Sequence, residues 1–130
     1  MNFEKQVPDF ELCKLLPPGC FEKSTFVWSF SCDKRLTEPF VDRRDDIEFC
    51  RKNMINAPDV YPAPLLEEII SAIADLGFFC PTVFYHNRSW EISCMTGSDD
   101  DMDAKYIYES AAEHPTNAGI KLYLQLVKQK

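Results

Sequence analysis

Apolar and polar positions alternate most clearly over Thr25–Ser31. There Phe26, Trp28 and Phe30 fall on one side of an extended chain, with Thr25, Val27, Ser29 and Ser31 on the other. The pattern predicts a strand that lays three rings on one sheet face and buries them as core. The same rings could form a stacking platform for bases or sugars, but such a platform needs a basic frame.

A helical period takes over at Leu65–Leu76, where Leu65, Ile69, Ile73 and Leu76 form one stripe that Leu66 and Ile70 widen. Pro62-Ala63-Pro64 introduces this helix, Glu67 and Glu68 suit its positive end, and Gly77 supplies the stop. A second principal helix is predicted over Asn117–Gln129, with Ile120, Tyr123, Leu124 and Val127 as its main stripe. Leu122 and Leu126 lie on a flank, so its apolar surface is broad. Either sheet and helix sandwich it, or Leu122 and Leu126 form the seam of a homodimer.

Shorter elements complete the pattern. Pro8 and Asp9 open a short N-terminal helix over Asp9–Leu16, with Leu12, Cys13 and Leu16 on one face and Pro17-Pro18-Gly19 as its end. Thr82–His86 and Trp90–Met95 read as a hairpin joined around Asn87-Arg88-Ser89, with Trp90, Ile92 and Cys94 sharing a face. Lys105–Glu109 adds another strand. Between Cys32 and Ala63 the periodicity is weak, save a short helix over Asp46–Met54 with Ile47, Cys50 and Met54 inward. The expected fold is one α+β domain over 1–130. In it, a small antiparallel sheet of three to four strands packs against two principal helices, beside a short N-terminal helix. A long, partly irregular connection spans 33–60. Long connections inside compact domains are often functional, which makes Arg43, Arg44, Asp45 and Asp46 a candidate binding surface.

Charge narrows the partner. The chain has 130 residues and a formal net charge of -7. Phosphate contacts need a basic face, and the densest basic stretch, between Asp33 and Lys52, sets six cations against six carboxylates. Direct nucleic-acid binding is disfavoured, and an acidic surface points to a protein partner. Asp99, Asp100, Asp101 and Asp103 form a second candidate binding surface. Their alternation resembles a calcium loop, yet Ala104 stands where the sixth-position glycine belongs and Ser110 where the closing glutamate belongs, so no metal is assigned.

The six cysteines at 13, 20, 32, 50, 80 and 94 contain no close pair of the C-x-x-C kind, which favours free, buried thiols over zinc. Met1–Gln6 offers neither a basic region nor an apolar run behind it, and no apolar stretch is long enough to span a bilayer. The reading is cytoplasmic, with no membrane. There is no glycine-rich phosphate loop, no G-x-S-x-G and no H-E-x-x-H, so no catalytic residue and no cofactor is assigned. A pocket lined by the aromatic strand and the 33–60 segment is the alternative reading. A cysteine-dependent enzyme ranks below it, because nothing pairs Cys80 or Cys94 with His86 or His114.

Several segments carry a resemblance. They are Pro8-Asp9-Phe10-Glu11-Leu12-Cys13-Lys14-Leu15-Leu16, Phe26-Val27-Trp28, Tyr61-Pro62-Ala63-Pro64-Leu65-Leu66-Glu67-Glu68-Ile69, the strand at Trp90 and the helix after Asn117-Ala118. Over about half the chain these segments resemble small proteins of unknown function carried by phages and conjugative elements of gut bacteria. The resemblance implies an accessory protein of a mobile element and transfers no catalytic residue.

Overall fold

The computed structural model describes residues 3–30, 38–52, 59–96 and 107–128. The chain divides into two compact units, Met1–Leu65 and Leu66–Lys130, each with its own three-stranded antiparallel sheet. The class is α+β, as the alternation of periods predicts.

In the first unit a 3-10 turn at Phe3–Gln6 leads into α1, Phe10–Cys13. This helix is a single turn, shorter than the expected Asp9–Leu16. The Asp9 side chain makes no capping bond, and one turn has too few internal bonds to propagate alone. The strands are β1 (Phe26–Ser29), β2 (Phe40–Arg43) and β3 (Tyr61–Ala63), in the order β2-β1-β3. β2 and β3 replace part of the irregular connection that the sequence predicts. Each is so short that alternation barely registers, and β3 contains Pro62, which its edge position tolerates. Helix α2 covers Arg44–Arg51, starting two residues before the expected Asp46; Met54 lies outside the described residues.

All four residues of the central strand β1 are buried, so the alternating pattern did not reveal its second covered face. Phe26 and Trp28 join Val7, Cys13 and Ala63 in the core, with Phe3, Phe10, Val41, Tyr61 and Leu65 packed around them. The rings meet at angles rather than in stacks: Phe10 lies 5.7 Å from Trp28 and edge-on to Phe30 and Tyr61 at 5.4 Å. The Trp28 indole N–H donates to the Pro8 carbonyl at 3.0 Å. That bond ties the segment before α1 to the sheet and satisfies a buried donor.

The second unit holds α3 (Leu66–Asp75), β4 (Phe79–His86), β5 (Ser89–Met95), β6 (Ile107–Ala112) and α4 (Pro115–Lys128), with strand order β4-β5-β6. Gly77 closes α3 at φ 98, a conformation that favours glycine. Asn87 and Arg88 both take positive φ, 50 and 62, giving the tight two-residue turn whose twist suits a hairpin. Ile92 and Cys94 are fully buried, as the alternation over Trp90–Met95 predicts. Residues 105 and 106 of the last expected strand lie outside the described residues.

Helix α4 packs against β5, β6 and α3, which settles its broad apolar surface. Leu122 and Leu126 are both 0% exposed within the chain. The expected dimer seam at Leu122 and Leu126 is therefore corrected: covered on two sides, the helix buries both leucines, while Leu124 and Val127 of the expected main stripe are only half-buried. Gly119 marks the closest approach. A Cβ there would meet Ile69 Cγ2 at 3.0 Å and Ile92 Cδ1 at 3.1 Å, so glycine lets helix, helix and strand converge.

Candidate functional site: a charged groove beside helix α2

The chain reverses at Phe21–Ser24 in the first unit, with Phe21 at φ 56 and the Ser24 amide donating to the Phe21 carbonyl at 3.1 Å. Ser24 is buried, and its hydroxyl donates to the Phe26 carbonyl at 2.7 Å. Arg44, the first residue of α2, pins this turn. Its amide donates to the Thr25 carbonyl at 2.9 Å, continuing the β1–β2 pairing into the helix. Its guanidinium donates from Nε to the Ser24 carbonyl at 2.8 Å, and from Nη2 to Ser24 Oγ at 2.8 Å and the Phe21 carbonyl at 3.2 Å. The rigid fork of donors suits this three-point grip in a way a lysine could not match. Glu48 Oε1, one helical turn on, stands 4.0 Å from Nη1.

Beside this clamp opens a cleft of about 640 Å³, lined by Glu22, Lys23, Thr25, Arg43, Arg44, Asp45 and Glu48 among others. A second cleft of about 370 Å³ also has Glu22 and Arg44 on its wall, and runs on to Leu16, Pro17, Pro18, Tyr61 and Pro62. The two clefts have Glu22 and Arg44 as common wall residues; the first is lined mainly by charged side chains and the second also by Leu16, prolines and Tyr61. Of the predicted surface, Arg43, Arg44 and Asp45 line the first cleft, the charged groove beside α2. Asp46 is exposed and is not among the lining residues, and Asp99, Asp100, Asp101 and Asp103 lie outside the described residues.

The roles divide sharply. Arg44 spends its donors on the turn, so it shapes the groove, while the exposed Lys23 and Arg43 and the carboxylates of Glu22, Asp45 and Glu48 line its open wall. Sequence reasoning missed Glu22, Lys23 and Ser24, because the positive φ at Phe21 that brings them back to α2 has no sequence signal. Phe26 and Trp28, each 7% exposed, are packed in the core and offer little ring surface for stacking.

The described thiols are Cys13, Cys20 and Cys94, none of them in a disulfide. Burial pushes the Cys13 thiol from 9.0 up to about 12; the Trp28 indole partly opposes this and the Asp9 carboxylate adds to it. Burial also raises Cys94. A thiol held protonated is a poor nucleophile. Among the described residues no group of three His, Cys, Asp or Glu side chains could hold a metal ion. His86 and His114 are exposed. In native protein near pH 8, about the lower edge of the ordinary thiol range, Cys13 and Cys94 are expected to resist alkylation that half-exposed Cys20 accepts. Because the Cys13 pKa is raised on folding, its contribution to stability is complete below 9.0 and is lost as pH climbs toward 12. Rapid native labelling of Cys13, located by peptide mapping, would contradict this.

No helix among the described residues is long and apolar enough to cross a membrane. Comparison with protein-family models, with curated proteins and with solved structures found no match, so the groove is read from its own chemistry.

Proposed function

We propose that this chain is a non-catalytic, cytoplasmic accessory protein of a phage or conjugative element, and that it binds a host or phage protein. The observation that carries the reading is the make-up of the groove: exposed Lys23 and Arg43 interleave with Glu22, Asp45 and Glu48 around a turn that Arg44 holds rigid. Small-molecule sites are mostly apolar and bury their ligand. Charges of both signs on an open wall, beside a cleft lined by prolines and a tyrosine that shares Glu22 and Arg44 with it, instead suit the mixed surface of a protein partner and fix its register. The resemblance to mobile-element proteins supplies the biological setting.

Reversing Lys23 and Arg43 together (Lys23→Glu with Arg43→Glu) removes both exposed cations without touching Arg44. Affinity capture from lysate of the native host is expected to yield a discrete protein with the wild-type chain and at least about tenfold less of it with the variant, since rim charges steer and orient association. Equal capture by both chains would count against the groove. A copurifying small molecule in native mass spectrometry, lost with the same substitutions, would favour the pocket reading.

A further inference from the structure

We propose that the open face of the β4-β5-β6 sheet is a second docking surface, whose occupant is a basic, amphipathic protein segment. The proposal rests on the reading of the chain as a protein binder but uses none of the groove residues. Register defines the face. Ile92 and Cys94 are fully buried, so their neighbours Glu91, Ser93 and Met95 point the opposite way, together with Phe84 opposite Glu91, Glu109 opposite Ser93 and Ile107 opposite Met95.

Two features distinguish this face. Phe84 is 40% and Ile107 65% exposed, so large apolar side chains stand in water at its two far corners. By strand rise and spacing they are about 16 Å apart. Between them Glu91 and Glu109 occupy diagonal positions on neighbouring strands, and no lysine or arginine among the described residues shares the face. Like charges placed so close repel; the imidazole that shares the face, His86, stands opposite Ser89 toward the hairpin end. The second unit as a whole carries ten acidic residues against five basic, while the first carries eleven against nine.

A complementary partner therefore brings lysine or arginine to the centre and an apolar side chain to each corner. A second copy fits badly, because two-fold pairing of this face sets four carboxylates together. Nucleic acid is repelled outright.

The test is an NMR titration of the full chain with a synthetic amphipathic Leu–Lys peptide and with a Ser–Lys peptide of equal charge. Expected are amide shifts concentrated on Phe84, Glu91, Ile107, Glu109 and their strand neighbours, with the Ser–Lys peptide several-fold weaker. Glu91→Lys with Glu109→Lys should weaken the Leu–Lys peptide by about tenfold or more, and Glu91→Gln with Glu109→Gln should do so less steeply while keeping the sheet's spectrum. Lys23→Glu with Arg43→Glu should leave this binding intact, so the face and the groove stand or fall separately. Shifts mapping elsewhere, equal affinity for both peptides, or unchanged binding by the glutamine variant would each overturn the proposal.

Discussion

Replacing Leu122 and Leu126 together with glutamate is expected to abolish the cooperative unfolding transition of the second unit. Both leucines are fully buried in a helix covered by β5 and β6 on one side and α3 on the other. Each substitution forfeits about 2–5 kcal/mol of burial and packing, and each also forces a carboxylate into an apolar layer or makes it bind a proton there. The sum rivals the entire stability of a typical domain, about 5–15 kcal/mol. Circular dichroism and the dispersion of amide resonances from β4–β6 and α4 report the outcome. A variant with native dispersion would show that the leucines are not core.

The second large effect is in the other unit. Trp28→Ala is expected to cost about 3–5 kcal/mol, the usual range for a buried aromatic truncation. Trp28 contacts Phe10, closes the core with Val7, Cys13 and Ala63, and holds the Pro8 carbonyl. Trp28→Phe keeps a ring but loses the indole donor, so it should fall between wild type and alanine. The lost bond accounts for about 1 kcal/mol of that difference. Urea denaturation followed by tyrosine-region circular dichroism measures the series. An unchanged midpoint for Trp28→Ala would place the indole at the surface.

Much of this fold was legible wherever an element is long enough to show its period. The stripe of α3, the aromatic alternation of β1 and the hairpin of β4 and β5 all appear in the chain pattern, within a few residues of their observed limits. What stayed hidden was short or depended on partners far along the chain. β2 and β3 have four and three residues, and they become strands because β1 lies between them with both ladders satisfied. The face of α4 stayed open between a sandwich and a dimer seam for a related reason. A helix between two layers has no single apolar stripe, so Leu122 and Leu126 looked surplus until α3 was placed beside them. In the groove, a polar, charged segment after weak periodicity was enough to single out Arg43, Arg44 and Asp45. Their division into one clamp and two rim residues comes from the turn at Phe21, which only the backbone reveals.

The central claim is that the groove beside α2 receives a protein. Its most direct test is photo-crosslinking from a benzophenone side chain placed at Lys23, on the groove wall, and separately at Lys121, an exposed position on α4. With both proteins expressed in the native host, one discrete protein adduct is expected from position 23 that is missing from position 121. The same adduct pattern from both positions, or no protein adduct from position 23, would contradict it.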